Sequence, residues 1–305
     1  MSKKDAPPNL VPDLRQGKYS DGHPLDEVHY LECKIILKPE RFTAVQSFLD
    51  FAKLVRRVAD ESEVGFSTSH LANQRPHIRE VVFLDTADFR LYNHAFILRR
   101  RVAYENEFPV GDPEIVFKFR HPDMQKAAEL DVRPNIPGVY RIKFKAEALP
   151  LRDKLGGSRL LFSHNAQFGL SQMKEGDRTS LSTLVHLFPC LAPLKKSGTE
   201  RVDLVNQTIV EEVLLDLGKL DFGKGVIAWT SAALWRARYD HHPLAGEFSF
   251  QAKFNRKDEL HAKVRQRCEH FFVALQHVAH DWVSLGTTKT GIVYHLKGNP
   301  PQSHE

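Results

Sequence analysis

The chain has 305 residues, of which 42% are hydrophobic and 27% charged, values that are ordinary for a soluble globular protein. Lysine and arginine exceed the acidic residues by only five, 43 against 38, and no dense basic block typical of a nucleic-acid-binding arm is present. The three cysteines, Cys33, Cys190 and Cys268, are odd in number and widely spaced. They therefore predict neither a disulfide framework nor a zinc site, and they favour a reducing compartment.

The N-terminal region lacks the apolar core of a signal peptide, and no run approaches the ~20 apolar residues that a membrane-spanning helix needs. We therefore expect a cytoplasmic protein without a membrane segment. Residues 1–25 are rich in proline, glycine and charge, and they are predicted to be a disordered leader. The residues from 298 to 305 are predicted to be a flexible tail.

The first predicted strand spans residues 27–37. Side chains alternate between the two faces of a strand, so Tyr30, Glu32 and Lys34 share one face while the other face is apolar. Taken alone, Glu32 beside Lys34 is an ordinary ion pair of small consequence. Residues 41–59 follow with apolar residues at helical spacing, which predicts a helix that covers the core.

Residues 81–102 predict a strand, a turn and a second strand. Aspartates in the turn, 85–88, can accept hydrogen bonds from nearby backbone N–H groups. On the second strand Arg99 and Arg101 share a face, and the guanidinium group is well suited to bind phosphate oxygens. A solvated, charged strand face is the alternative, and it is the default for this stretch alone.

The middle of the chain adds further charged faces. Residues 114–120 predict a strand with Lys118 on the same face as Val116. Glu129 and Asp131 point the same way on a predicted strand over 127–133, and two adjacent carboxylates call for a neutralising cation. A solvated edge strand explains them equally well. Residues 140–145 alternate, but the pattern fits either a strand or part of a helix.

The last third of the chain repeats the pattern. Arg201 lies on a predicted strand over 200–205, and residues 232–239 would place Arg236 and Arg238 on one strand face. Glu247 and Lys253 share a face of the strand over 246–254. A helix is predicted over 255–285, followed by a final strand over 287–295.

Histidines offer a weaker signal. His277, His280 and Asp281 lie close together on the predicted last helix and could form a metal patch, although an exposed polar helix face is the more ordinary explanation. The adjacent pair at positions 241 and 242 falls in a predicted hairpin loop, where neighbouring histidines rarely chelate a metal without other ligands.

The run Phe83-Leu-Asp-Thr-Ala-Asp-Phe-Arg-Leu91, followed by Leu98-Arg-Arg-Arg101, resembles the motif of the CYTH superfamily, also called triphosphate tunnel metalloenzymes. That family shows aromatic-x-Asp-Thr-x-Asp-x-x-Leu and then Leu-Arg-x-Arg. Its first strand carries Glu-x-Glu-x-Lys, matched here with Tyr30 in place of the first glutamate. Its late Glu-x-Glu-x-Glu strand is matched with Ser249 and Gln251 in place of two glutamates. The matches run in order over roughly residues 27 to 296.

The resemblance implies an α+β fold in which residues 26–297 form a single domain. The fold is a closed antiparallel β-barrel of about eight strands, a tunnel open at both ends, with flanking helices. Alternate residues of each strand would face the lumen. The residues implied to bind substrate are Lys34, Arg99, Arg101, Lys118, Arg201, Arg236, Arg238, Lys253 and Lys289. Those implied to be catalytic are Glu32, Lys34, Arg99 and Arg101. Ligands for Mg²⁺ or Mn²⁺ would be Glu32, Glu247, Glu129 and Asp131.

The implied function is the divalent-metal-dependent hydrolysis of inorganic triphosphate or an organic triphosphate. A non-catalytic binder of polyphosphate or nucleotide is the alternative, because Tyr30, Ser249 and Gln251 replace expected carboxylates. A nucleotide cyclase of the same fold is a third hypothesis. An RNA 5′-triphosphatase or RNA binder is less favoured, because aromatic and basic residues are not interleaved. The expected partner is thus a small molecule and not a nucleic acid or a membrane, and a homodimer is left open.

Overall fold

A computed structural model of the chain describes residues 17–68, 75–173, 180–195, 200–255 and 260–297. Most of the predicted leader, residues 1–16, and the predicted tail, 298–305, lie outside the described residues. The remainder of the leader differs from the prediction, because Tyr19 and Leu25 are buried. The Tyr19 hydroxyl donates to Asp26, at 3.0 Å, and contacts the backbone oxygen of Ala128 at 3.0 Å, which holds this segment against the domain.

The described residues form ten strands and six α-helices. The strands are β1 (Tyr30–Leu37), β2 (Gly65–Ser67), β3 (His77–Asp85), β4 (Phe96–Glu105), β5 (Phe108–His121), β6 (Arg141–Pro150), β7 (Ser158–Gly169), β8 (Asp203–Asp221), β9 (Ile227–Ala237) and β10 (Pro243–Lys253). The helices are α1 (Val45–Glu61), α2 (Arg90–Asn93), α3 (Met124–Glu129), α4 (Leu181–Leu187), α5 (Ala262–Val278) and α6 (Lys289–Tyr294). None of these helices has the length and apolar character needed to cross a membrane.

Nine of the strands close into a barrel in the order β8-β3-β4-β5-β7-β6-β1-β10-β9, and a β9–β8 pairing completes the ring. The prediction of an α+β fold with a closed barrel of about eight strands and flanking helices is confirmed. One pairing, between β1 and β6, is parallel, whereas the others are antiparallel. A ring whose neighbours all run antiparallel needs an even number of strands, so a nine-stranded ring must contain a parallel pair.

Helices cover two sides of the barrel because the outward faces of the strands there are apolar. Helices α1 and α5 lie over β1 and β10, where Phe51 and Phe248 have ring centroids 5.4 Å apart. On another side, Phe117 of β5 stacks on Phe188, just after α4, at 3.9 Å. Each fully buried side chain of this size stabilises the fold by roughly 1.5–3 kcal/mol, so these contacts fix which strand faces point outward.

At one end, apolar side chains of the described residues fill the barrel interior. Val81 and Phe83 continue the inward face of β3, and Tyr294 of α6 packs against them. Tyr294 also stacks on Tyr92 of α2 with a centroid separation of 4.1 Å. Its hydroxyl donates to Asp85 at 3.2 Å, which ties the helix to the end of β3.

Asp85 also performs the turn role predicted for it. Its carboxylate accepts hydrogen bonds from the backbone N–H groups of Thr86, Leu91 and Tyr92 at 2.7, 2.9 and 3.0 Å. The aspartate of the most specific sequence motif therefore organises the apolar end of the barrel and does not line the lumen.

Three predicted elements differ from the structure. Residues 124–129 form helix α3, where a strand was predicted over 127–133, because Asp123 caps the N–H groups of Gln125 and Lys126. The predicted final strand is helix α6, which begins after Thr288, whose hydroxyl accepts from the Gly291 N–H at 3.0 Å. The long helix predicted over 255–285 is α5, which ends at Val278. The alternating residues 140–145, left open by the sequence, begin strand β6 from Arg141.

We expect Tyr294→Ala to lower the free energy of unfolding by roughly 3–5 kcal/mol, because it removes a fully buried ring from the apolar end of the barrel. Urea denaturation followed by circular dichroism measures the change. Tyr239 is 99% exposed, so Tyr239→Ala is the matched control and should change stability by less than about 0.5 kcal/mol. Equal effects of the two substitutions would contradict the apolar end described above.

Candidate functional site

The barrel encloses a cavity of about 200 Å³ that is lined mainly by charged side chains. Its cationic residues are Lys34, Arg79, Arg99, Arg101, Lys118, Arg120, Lys145 and Lys289. Its acidic residues are Glu32, Glu147, Glu212 and Glu247. Eight positive against four negative side chains leave an excess of four positive charges in a confined space. We call this cavity the charged lumen.

Strand β4 supplies two of the cations. Arg99 and Arg101 face the lumen because Leu98 and its outward neighbours pack beneath the helices. Arg101 pairs with Glu114 at 3.1 Å. Arg99 makes no hydrogen bond or ion pair with its side chain to any described residue, and its Nε is buried without an acceptor. Burial, and next the charge of Arg101, lower the pKa of Arg99 to about 9, so the group is still charged at neutral pH and lacks an anion.

Two carboxylates lie side by side across the parallel β1–β6 pair, where Glu32 is the register partner of Glu147. The ammonium group of Lys34 lies 3.2 Å from an oxygen of each. Lys145 adds a contact of 3.2 Å to Glu32, whereas Glu147 also contacts Lys118 at 3.0 Å and Arg120 at 3.4 Å. Each carboxylate is therefore already surrounded by fixed cations.

A second group lies nearer the apolar end. Lys289, the first residue of α6, bridges Glu247 at 2.8 Å and Glu212 at 3.2 Å, and its ammonium group lies 4.5 Å from the ring centroid of Trp235. Glu212 also contacts Arg79 at 2.6 Å and accepts from the Trp235 indole N–H at 2.8 Å. The sequence predicted Lys289 to lie on a strand, but the helix start still directs its side chain into the lumen.

These contacts set the ionisation of the carboxylates. Burial by itself would raise the pKa of Glu32, but Lys145 and Lys34 outweigh it and lower the pKa to about 2. Burial likewise opposes ionisation of Glu147, whereas Lys118, Lys34 and Arg120 hold its pKa well below the usual range. Glu212 follows the same pattern through Lys289 and Arg79. These three carboxylates are therefore anionic at neutral pH, because the surrounding cations stabilise them.

The lumen does not fit a divalent metal ion held by the protein itself. No group of three potential ligands from His, Cys, Asp or Glu comes together in the described ranges. The two carboxylates predicted as ligands in the lumen are also far apart, because Glu32 pairs with Gln251 and Glu247 pairs with Ile36. Four strand positions separate them, about 13 Å along the sheet. The expected Mg²⁺ or Mn²⁺ site therefore has no matching donor set among these side chains.

Seven of the predicted site residues line the charged lumen, namely Glu32, Lys34, Arg99, Arg101, Lys118, Glu247 and Lys289. Their position is the one predicted, whereas the structure does not test their individual roles. The other six lie outside the cavity. Lys253 is on the inward face of β10 but beyond the cavity, and for the other five the predicted inward position is wrong.

Four cations of that second group were predicted to bind substrate. Arg236 and Arg238 lie on the outer surface, paired with Glu211 and Glu80, because Trp235 takes the inward position and reaches Glu212 with its indole N–H. Arg201 precedes β8, and its side chain is 81% exposed. Lys253 is exposed at the end of β10.

The remaining two were predicted metal ligands. Glu129 is exposed at the end of α3, where it accepts from Gln125 at 2.9 Å. Asp131 follows the helix and pairs with Arg133 at 2.5 Å. The two carboxylates are not on one strand face, because the segment is a capped helix followed by a loop. The histidine patch considered at 277–281 also holds no metal-binding group among the described residues; His280 pairs with Asp281 at 3.2 Å on the surface.

Sequence reasoning missed five charged residues of the lumen. Lys145 and Glu147 belong to β6, whose alternation was compatible with a helix. Arg120 lies on the same predicted face as Lys118 but was not selected. Arg79 and Glu212 pair across β3 and β8. The sequence did contain a signal for them. Each of these residues is charged and lies two positions from another lumen residue or from an apolar inward residue. A single sequence does not, however, show which strands pair.

No protein-family model matches this chain. No curated protein matches it in sequence.

A comparison with solved structures finds similar chains at low sequence identity. One is a candidate adenylyl cyclase from Hippeastrum described as having a dominant triphosphatase activity; it is 10% identical, with 87% of this chain and 95% of that chain covered and a TM-score of 0.38. The PH1819 protein of Pyrococcus horikoshii is 11% identical, with coverages of 86% and 96% and a TM-score of 0.35. A candidate adenylate cyclase from Bacillus halodurans is 10% identical, with coverages of 81% and 91% and a TM-score of 0.33. At these values the similarities do not assign the chain to a family.

Because of the lumen carboxylates, we expect the free energy of unfolding to decrease at acidic pH. The pKa of Glu147, Glu32 and Glu212 is lower in the folded chain than in the unfolded one, so below pH 4.5, the ordinary glutamate value, the unfolded chain binds more protons. Their stabilisation is complete above that pH and is lost as the pH falls through the folded values. We expect the urea-unfolding free energy to decrease from about pH 5 to about pH 3.

Glu147→Gln should lower the unfolding free energy at pH 7 by on the order of 3 kcal/mol and should flatten the acid slope, because three cations lose their shared carboxylate. The matched control is Glu129→Gln, since Glu129 is exposed and outside the lumen. An acid slope unchanged by Glu147→Gln would contradict the assignment of the pH dependence to this group.

Proposed function

We propose that the charged lumen binds a linear polyphosphate anion, with inorganic triphosphate or the triphosphate group of a small molecule as the ligand. The observation that carries the proposal is Arg99, a guanidinium group inside the barrel with no anionic partner among the described residues. A buried cation without a partner is costly, and a phosphate oxygen is the acceptor that a guanidinium group binds best. Arg101 and Lys118 lie on the neighbouring inward positions of β4 and β5 and can bind adjacent phosphates.

The charge balance supports the same ligand class. A triphosphate carries about four negative charges, and its removal from water has to be offset by several fixed cations. The lumen has an excess of four positive side chains. A neutral or cationic ligand would leave that excess uncompensated.

Size and shape favour a short anion. The cavity of about 200 Å³ is below the ~300–1,000 Å³ typical of pockets that enclose drug-sized ligands. Among the described residues, Tyr294 and its neighbours fill one end, which favours entry of a chain from the other end. A triphosphate group fits this description, whereas a nucleoside would have to remain at the mouth. These features favour inorganic triphosphate over a nucleotide and do not favour a cyclase.

Hydrolysis of the bound anion is the catalytic part of the proposal. Arg99, Arg101 and Lys118 would hold the phosphate oxygens and stabilise the charge that develops as a phosphoryl group is transferred. Glu32 stays the candidate carboxylate for catalysis from the sequence. Non-catalytic binding is the second candidate, and it is favoured by a specific observation: each lumen carboxylate is already engaged by lysine or arginine.

We expect wild-type protein to bind one tripolyphosphate, and Arg99→Ala to weaken that binding by roughly tenfold to a hundredfold, the value of one or two charge-assisted hydrogen bonds. Isothermal titration calorimetry measures both. Arg201→Ala is the control, because it removes an equal charge from outside the lumen, and it should change affinity less than about twofold. Equal losses in both variants would show that binding reflects surface charge and would contradict the lumen as the site.

Phosphate release is measured beside the titration with tripolyphosphate, ATP and thiamine triphosphate, in Mg²⁺, Mn²⁺ or chelator. Release that is lost in Glu32→Gln identifies a hydrolase and ranks its substrates. Binding without release under every condition identifies the non-catalytic binder. Chromatography of the ATP reaction separates a cyclase, which would form cyclic nucleotide and pyrophosphate, from a hydrolase.

A further inference from the structure

We infer, building on the proposed function, that the ammonium group of Lys34 occupies the position between the two carboxylates that a divalent cation would need, and that Lys145 occupies a second position on Glu32, so that the lumen binds its polyphosphate anion without a resident metal ion. The family resemblance implied the opposite. The strand register, the contacts of each carboxylate and the local charge each support the inference.

The parallel β1–β6 pair creates the arrangement. It aligns Glu32 with Glu147, and side chains of directly paired residues lie about 5 Å apart. Such a pair of carboxylates is a plausible start of a divalent-cation site. Lys34 is two residues after Glu32 on the same face, and its Nζ lies 3.2 Å from an oxygen of both carboxylates. The bridging position is therefore filled by a cation that belongs to the chain.

Each carboxylate of this pair has further contacts, and on Glu32 they go to the same oxygen, Oε2, that Lys34 contacts. Lys145 is two residues before Glu147 and contacts Glu32 at 3.2 Å. It also donates to the amide oxygen of Gln251 at 2.5 Å, so the position where the family has a carboxylate serves here as an acceptor for a lysine. On the other side, Glu147 accepts from the Ser163 hydroxyl at 2.6 Å in addition to its ion pairs.

The net charge of this group does not favour the binding of a further cation. The two carboxylates contribute −2, whereas Lys34, Lys145, Lys118 and Arg120, which contact them, contribute +4. Burial lowers the pKa of Lys118 well below its ordinary value, so the group has a net charge of +2 when that ammonium group is protonated and +1 when it is neutral, and it is cationic in both cases before any ligand arrives. A divalent cation would be repelled by this group, whereas a phosphate chain would be attracted.

The second carboxylate group offers no alternative. Glu212 and Glu247 share Lys289, and Glu212 is also held by Arg79 and the Trp235 indole. On β10, the next inward residue after Glu247 is Ser249, whose hydroxyl contacts Ser231 at 3.2 Å. Neutral hydroxyl groups replace the anionic oxygens that a magnesium or manganese ion prefers.

The test begins with the protein free of phosphate and uses Mn²⁺ alone as the probe, detected by electron paramagnetic resonance of the unbound ion. We expect the wild type to bind Mn²⁺ more weakly than about 1 mM. The double substitution Lys34→Gln with Lys145→Gln removes two positive charges from the group and should tighten Mn²⁺ binding at least tenfold. Lys53→Gln removes a lysine from the outer helix α1, where its side chain is 73% exposed, and should change nothing. Stoichiometric Mn²⁺ binding by the wild type with micromolar affinity would overturn the inference.

A second measurement compares tripolyphosphate affinity in chelator and in Mg²⁺ by calorimetry. Because Mg²⁺ neutralises part of the anion in solution, we expect binding in chelator to be at least as tight. Binding that requires Mg²⁺ would overturn the inference and leave the proposed function standing. If tripolyphosphate fails to bind under both conditions, the proposed function is wrong, and the Mn²⁺ titration still decides the metal question. Circular dichroism checks the fold of each variant; should the double variant not fold, the wild-type titration and single Lys145→Gln decide.

Discussion

The structure depends on keeping a group of like charges inside a barrel. Eight cationic side chains face one cavity, where charges interact over short distances. Each of the four lumen glutamates is bound by at least one of these cations, and Glu147 is bound by three. The glutamates stabilise the cations in the empty barrel, but only in part. Within the described part of the chain, Arg99 is the lumen cation without an anionic partner, and it is therefore available to bind an anion.

The way the barrel closes determines which charges meet. Nine strands require one parallel pair, and the chain places it between β1 and β6. That pairing aligns Glu32 with Glu147 and brings Lys34 and Lys145 beside them. With β6 at another place in the ring, the carboxylates would lie apart and the lysines would have no shared partner. The electrostatics of the lumen is thus a consequence of strand order as much as of residue type.

Much of the fold could be predicted because strand faces alternate with a period of two. The inward positions of Glu32, Lys34, Arg99, Arg101 and Lys118 follow from that period and from the apolar residues between them. The period alone misplaced Arg236 and Arg238, because it separates the two faces of β9 but does not show which face is inward. The inward face is the one that carries Trp235. Its indole N–H needs an acceptor, and Glu212, which supplies it, lies inside the barrel.

The missed residues share one physical cause. Whether Lys145 and Glu147 matter depends on the strand beside β6, and pairing between segments more than a hundred residues apart leaves no trace in local sequence. Glu129 and Asp131 were misplaced for a different, local reason, because Asp123 caps a helix where a strand was predicted. Local pattern therefore predicted the arginine face of β4 but not the carboxylate arrangement that governs metal binding.

The central claim is that the interior of the barrel, and not its outer surface, binds a linear polyphosphate. A crystal structure of the protein soaked with tripolyphosphate in chelator tests it most directly. The account predicts the anion in the charged lumen, with phosphate oxygens within hydrogen-bonding distance of Arg99, Arg101 and Lys118. A lumen without phosphate density, with the anion instead bound on the outer surface beside Arg236 and Arg238, would contradict it.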